Sequence, residues 1–280
     1  MDSVYVKRNK AGRINIKAGN KVNSVINTTV ISLTLLTVIA FLLFDYTGLD
    51  IGRAVVETAS NLKTMFLQPA FSHFTWREGL YQLGVTISLA VLATILGAII
   101  AFFLALWSAV NLSNRWVSKA IKIFVAFIRA VPTVLWVLIF AIAAGLGSEA
   151  AILGMLFHSV AYLVKAFSEA FEEVDKGMLE ALKSTGAGWW QTVTHAVIPS
   201  TSTYLLSWTF LRFEINFSVA VAMGAAAGAG GIGFELFMAS GFYFDLREVG
   251  FITYAILLVA IVLEMMSTKL KQRYFPSAVK

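Results

Sequence analysis

Cysteine is absent from this 280-residue chain, which excludes a disulfide framework, a thiolate metal site and a cysteine nucleophile. Charge is scarce. Asp, Glu, Lys and Arg make up 14% of residues, against about 25% in a soluble domain. No G-x-x-x-x-G-K-[ST] stretch occurs, so the chain has no P-loop to cradle nucleotide phosphates. Its three histidines are scattered and suggest no metal-ligand cluster. Neither paired acids nor a Ser/His arrangement on a common face suggests a membrane-embedded enzyme. What is plentiful is hydrocarbon: 58% of residues are hydrophobic and mean hydropathy is +0.77. The apolar residues come in runs of membrane-spanning length, about 20 residues each.

Six runs are expected to span, at 25–44, 82–107, 131–147, 150–168, 203–222 and 250–268. The first is long for the apolar region of a signal peptide and lacks a small-x-small cleavage site, so it reads as a retained span. Residues 1–24 then form a basic tail and 25–280 a single transmembrane domain. Basic residues report topology. Lys7, Arg8, Lys10, Arg13, Lys17 and Lys21 precede the first span, Arg115, Lys119 and Lys122 follow the second, and Lys269, Lys271, Arg273 and Lys280 follow the last. The positive-inside rule places both termini in the cytoplasm, and an even number of spans agrees. Topology accounts for these charges, so no nucleic-acid partner is expected. The amphipathic stretch from Asn111 to Arg129 is expected along the membrane surface, with Pro132 starting the third span.

One stretch departs from the oily pattern. From Glu169 to Pro199 the chain is acidic, polar and helix-forming. Asp175 predicts an N-cap for a helix starting at Lys176, with Met178, Leu179 and Leu182 on one face. Gly186 stands where a helix ends in a left-handed turn. A second short helix follows, with Trp189, Trp190, Val193 and Val197 as its apolar stripe, and Pro199 is expected to close it. Helix physics leaves two readings open: a surface hairpin packed on its own domain, or a docking element for a partner.

The segment "EALKSTGAGWWQTVTHAVIPS" resembles the coupling-loop signature of ABC importer permeases: Glu-Ala-Ala, three residues, Gly, nine residues, Ile-x-Leu-Pro. Glu180, Ala181, Gly186 and Pro199 hold their places; Leu182, Ala196 and Ile198 are mild replacements. "IRAVPTVLWVLIF" (128–140), "FSEAFEEVDKGMLEALKSTGA" (167–187), "RFEIN" (212–216) and "GAGGIG" (228–233) bring the resemblance closest to the phosphonate-type permeases. The resemblance implies an all-α integral membrane protein of the type I ABC importer permease fold, with about six transmembrane helices and a cytoplasmic helix-turn-helix coupling loop at about 172–199. It implies a subunit of the cell (inner) membrane that pairs with a second copy of itself, with two copies of an ABC ATPase subunit and with a periplasmic or extracellular substrate-binding protein, surrounded by lipid. ATP and Mg would be bound by the ATPase partner, with no cofactor in this chain. The cargo implied is an organophosphonate, phosphite or similar anion. "GAGGIG" also satisfies the dinucleotide fingerprint, but it follows a span rather than a strand, and reads instead as a tight turn near the outer mouth.

Charges inside the runs are the remaining signal. Arg212 lies near mid-membrane, and Glu214 leaves the helix about 200° away, so the two are not expected to pair. Arg212 shares a face with Asn216. An unpaired charge at that depth costs at least about 2.5–3.5 kcal/mol. Arg212, Glu214, Asn216 and His158 are therefore candidates for an anion pathway; the alternative is interhelical salt bridges that lock the bundle. A second functional class stays open as well, an ion-coupled secondary transporter with Glu214 or His158 as the titrating group.

Overall fold

The computed structural model describes residues 21–45, 48 and 50–274. The tail residues Lys7, Arg8, Lys10, Arg13 and Lys17, together with Lys280 and the side chains of Lys21, Lys271 and Arg273, lie outside the described part. The chain divides into two compact units, Met1–Glu57 and Thr58–Lys280. The first contains α1 (Lys21–Leu43), apolar all round as a helix in lipid should be. Its Thr29, Thr34 and Thr37 hydroxyls each donate to the carbonyl four residues back, which satisfies them without a neighbour. Helix α2 (Ile51–Leu67) runs from the first unit into the second.

The second unit is built around α3 (Trp76–Ser108) and α6 (Ser148–Glu172). Along α3, Ala93, Gly97, Ala101 and Ala105 recur every four residues and are buried. Small residues at this spacing let two helices approach closely in a membrane, where dispersion replaces the hydrophobic effect as the driving force. A β-carbon on Gly97 would press on Ser159 of α6, and one on Gly154 of α6 would collide with Val137. Val137 belongs to α5 (Thr133–Ala144). Helix α9 (Ile198–Ala227) packs on both α3 and α6.

The structure corrects the sequence reading of span three. Residues 131–147 contain only the 12-residue α5, about 18 Å long at 1.5 Å per residue and too short for a hydrocarbon layer of about 30 Å. It is joined to α4 (Arg115–Ala130) at an angle of 92°, so the two do not form a straight crossing; five other helices among the described residues are long and apolar enough to span. The break falls at Val131 and Pro132, because the residue before a proline is driven out of the helical region. The Trp136 indole donates to the Ile128 carbonyl (2.9 Å), so a freed backbone group finds a partner at the corner.

Two further elements escaped the sequence reading. The stretch 45–81 supplies α2 and a loop that docks on α11 (Leu246–Tyr274): the Tyr254 hydroxyl donates to the Phe66 carbonyl (2.7 Å), and the Met65 carbonyl fills the place of a β-carbon on Gly250. After α9, glycines at positive φ (Gly228, Gly230, Gly231) turn the chain into α10 (Ile232–Gly241). The expected tight turn is there, closed by Gln82, which accepts from the Gly231 amide (3.0 Å), and by Thr86, which accepts from the Ile232 amide (2.9 Å).

Candidate functional site

The polar hairpin begins at α7 (Lys176–Ser184), where Asp175 Oδ1 accepts the Met178 amide (2.9 Å). Gly186 has φ +83°, the Ala187 amide bonds to the Leu182 carbonyl and the Gly186 amide to the Lys183 carbonyl. This pair of bonds is a Schellman ending, and any residue with a β-carbon at that φ costs about 1–2 kcal/mol. The hairpin is fastened to the bundle rather than hanging from it. Leu179, Val193, Ala196 and Val197 are buried in a cluster with Leu106 of α3 and Phe167 and Phe171 of α6. Each Leu or Val so placed contributes about 1.5–3 kcal/mol. The Trp189 indole donates to the Leu112 carbonyl (2.7 Å), and Asn111 donates to the Phe171 carbonyl (2.7 Å).

Two expectations for the hairpin need correcting. Met178 and Trp190, assigned to its apolar stripes, are exposed; Leu179 and Trp189 carry the packing. Pro199 does not close the second helix. Helix α8 (Trp189–Thr192) passes through a π turn at Val193–Val197 directly into α9, and the Ile198 amide bonds to the Val193 carbonyl. A proline in a helix supplies no N–H and crowds the carbonyl four residues back; the widened turn lies where that ladder is interrupted. The candidate coupling residues Glu180, Ala181, Gly186 and Pro199 are all exposed. The hairpin therefore offers a free outer face on an inner face that is rigidly held.

The membrane interior holds the second constellation. Arg212 of α9 is 2% exposed. Its Nε donates to Ser159 Oγ of α6 (3.0 Å), an Nη lies 3.1 Å from His158 Nδ1, and the guanidinium sits over the Tyr162 ring, 5.2 Å from its centroid. Asn216 donates to both Ser159 Oγ (2.9 Å) and Thr94 Oγ1 of α3 (2.8 Å). Ser159 in turn donates to the Met155 carbonyl (2.6 Å). One network thus ties α3, α6 and α9 together at mid-bundle. Sequence reasoning named Arg212, His158 and Asn216 but missed Thr94, Ser159 and Tyr162. A small polar residue in an apolar run is a weak signal, and nothing local links positions 94, 159 and 216.

The salt-bridge alternative for Arg212 does not hold among the described residues: every partner of the guanidinium is neutral. Glu214 is half-buried, and no hydrogen bond or ion pair joins it to a described residue, so the structure does not bring it into the network. Lys165 lies 3.5 Å from Glu169 on the same helix.

The far end of the bundle holds a group the sequence reading did not foresee. Glu248, 1% exposed, accepts the Ser72 and His73 amides (3.2 and 3.0 Å) and pairs with His73 Nδ1 (2.6 Å). Asp245 accepts from the Ser72 hydroxyl (3.2 Å) and the Arg247 amide (3.0 Å). Ligand atoms of His73, Asp245 and Glu248 lie within 4.8 Å of one another, close enough for a metal ion. The carboxylates are nevertheless engaged by N–H and O–H donors, so the group works as a latch that fastens the 68–75 loop to the start of α11.

Residues 97–276 match the family described as "Binding-protein-dependent transport system inner membrane component". The chain belongs to that family. It is a multi-pass ABC importer permease, a transport subunit rather than an ATPase. It is 30% identical over 233 residues to the phosphite transport system permease protein PtxC of Stutzerimonas stutzeri, covering 82% of this chain and 83% of that one. It is 32% identical over 156 residues to the phosphate-import permease protein PhnE of Mycolicibacterium smegmatis. That match covers 54% of this chain and spans 29% of the mycobacterial protein's length. The permease fold also superposes on the MetNI methionine ABC transporter in an inward-facing conformation (TM-score 0.66, 15% identity, 73% of this chain and 99% of that chain). A bacterial ABC transporter for the polysaccharide alginate matches with TM-score 0.63 at 14% identity, over 91% of this chain and 99% of that chain. These likenesses place the fold as that of type I ABC importer permeases.

Proposed function

We propose that this permease carries a phosphonate-type oxyanion (an organophosphonate, phosphite or similar anion) across the cell membrane, driven by ATP hydrolysis in separate subunits. The observation that carries the anion reading is the buried Arg212 guanidinium, held by neutral partners only. A cation so placed attracts an anion at mid-membrane. Because its N–H groups are shared with Ser159 and His158, the attraction is moderated, as passage requires: a carried ion must leave as well as enter. The relative named for phosphite transport, matched over most of both chains, supports the same cargo class.

Two copies of this chain would stand on two ATPase subunits, both termini inside, with a binding protein delivering cargo on the other side. The exposed outer face of the hairpin, with Glu180, Ala181, Gly186 and Pro199, would lie against the ATPase. When ATP closes the ATPase pair, the motion would pass through Leu179, Trp189 and Val193 into α3, α6 and α9. No flexible linker intervenes, since the second arm of the hairpin is continuous with α9.

Native mass spectrometry of the full chain, co-expressed with its neighbouring genes, tests this reading. The expected result is two permease chains with two P-loop ATPases, the ATPases lost on Gly186→Pro, and ATP-dependent methylphosphonate or phosphite uptake in proteoliposomes. Transport that proceeds with no ATPase and follows a proton or sodium gradient would replace it with the ion-coupled transporter and make Glu214 the residue to titrate.

A further inference from the structure

At the hairpin end of the bundle, α4 and α6 enclose a pocket of about 280 Å³ lined by Ser108, Lys122, Arg129, Lys165, Glu169 and Glu172, among others. Its charges do not balance. Lys122 Nζ pairs with Glu172 (2.7 Å) and Lys165 Nζ lies 3.5 Å from Glu169, which leaves Arg129 as the pocket cation with no carboxylate among the described residues. The Glu172 oxygen that holds Lys122 also accepts the Val110 amide (3.1 Å), so that oxygen is already engaged twice. Ser108 of α3 borders the same pocket.

We infer that this pocket binds one phosphate or phosphonate oxyanion carrying a single negative charge, with Arg129 as its principal ligand. A guanidinium offers five N–H donors in a planar fork that matches two oxyanion oxygens at once, while Lys122 and Lys165 line the same pocket and offer further donors. A second pocket of about 340 Å³ adjoins at Lys122 and continues along α4 past Lys119 to Arg115, so the cationic stripe extends beyond one anion. The flank of α4 that carries Trp116, Ile123, Phe124 and Phe127 is exposed. Apolar side chains beside a basic pocket between helices are what an anionic phospholipid needs, its phosphate at Arg129 and its acyl chains along the flank. A free oxyanion would satisfy the same donors without using the flank. The oxyanion chemistry is common to both sources, and the site does not depend on what the permease carries.

The test uses the full-length chain, delipidated in detergent and titrated separately with phosphatidylglycerol, phosphatidylcholine, inorganic phosphate and methylphosphonate, with binding read by native mass spectrometry. The expected result is one phosphatidylglycerol held per chain in preference to phosphatidylcholine. It should weaken at least about tenfold in Arg129→Gln, the loss of a charge-assisted bond, and recover most of the way in Arg129→Lys. If inorganic phosphate or methylphosphonate shows this Arg129 dependence and phosphatidylglycerol does not, the site stands with the free anion as its ligand. Because Arg129 lies at the corner between α4 and α5, Lys165→Gln and Lys122→Gln are measured in parallel, each expected to weaken binding about threefold. Unchanged binding of every anion across all the variants that fold overturns the proposal.

Discussion

Among the described residues of this permease two charged side chains are buried almost completely, and their surroundings differ in kind. Glu248, at the end of the bundle away from the hairpin, is saturated: two backbone amides and an imidazole converge on its carboxylate. Arg212, at mid-bundle, is fixed in position by Ser159, His158 and Tyr162 but meets no opposite charge. A buried charge that is fully matched is part of the scaffold. One that is positioned but unmatched retains an attraction for something outside the chain. The same amount of burial therefore separates a latch from a candidate binding element, and the decisive quantity is the charge of the partners.

The largest expected effect tests the latch. Glu248→Ala leaves the Ser72 and His73 amides without their acceptor and should destabilise the folded permease by about 3 kcal/mol. Thermal unfolding in detergent would register this as a drop of roughly 6–12 °C. Uptake per folded molecule should be unchanged; a specific loss of uptake without loss of stability would erase the distinction. Arg212→Gln should do the opposite. It keeps hydrogen-bonding capacity toward Ser159 while removing the charge, so anion uptake should fall at least about tenfold, with complex assembly intact and melting within a few degrees of the parent. A large drop in melting temperature with proportionate uptake would make Arg212 a structural lock after all.

A smaller effect sharpens the comparison from the scaffold side of the same network. Asn216→Ala removes the donor that joins Thr94 of α3 to Ser159 of α6 and should cost about 1–2 kcal/mol of stability, read by the same unfolding assay. Uptake should change little, provided Ser159 still holds Arg212. The smallest effect is one of pH. Burial pulls the Asp245 carboxyl upward, yet the bonds from the Glu248 and Arg247 amides and the Ser72 hydroxyl, with the charge of His73, outweigh it and hold the group below its ordinary value of 3.8. A lowered carboxylate stabilises the fold above its unfolded pKa and loses that contribution as pH falls through its folded pKa. Melting temperature should thus decline slightly on acidification below about pH 3.8, and Asp245→Asn should flatten that decline. A pH profile identical in both proteins would remove Asp245 from the latch.

The hairpin was legible because its signals are local. Asp175 caps within three residues and Gly186 ends the helix with its own φ, so a short window of sequence contains the whole cause. Pro132 was legible as the start of a new helix after an amphipathic stretch, but the angle between the two helices was not. Hydropathy registers α5 as apolar, but only the packing of α4 and α5 about Pro132 sets an angle of 92° in place of a straight crossing. The continuous helix through Pro199 was missed for a related reason: proline forbids a regular helix, and the π turn that accommodates it has no composition of its own. His158 and Arg212 each stood out as polar residues in oily runs, and helical spacing set the face of each. Nothing in that spacing says that the two faces meet.

Composition and charge by themselves determined that this chain lives in a membrane, since no soluble fold can hide so much hydrocarbon with so few charges. The spacing of small residues on α3 and the caps of the hairpin were written there too, because each acts over one or two helical turns. Tertiary structure alone decided which charges are matched. Glu248 finds its donors 175 and 176 residues away, and Arg212 finds only neutral groups 53 and 54 residues away. Electrostatic balance depends on distance in space, and a linear sequence carries that distance only after it has folded.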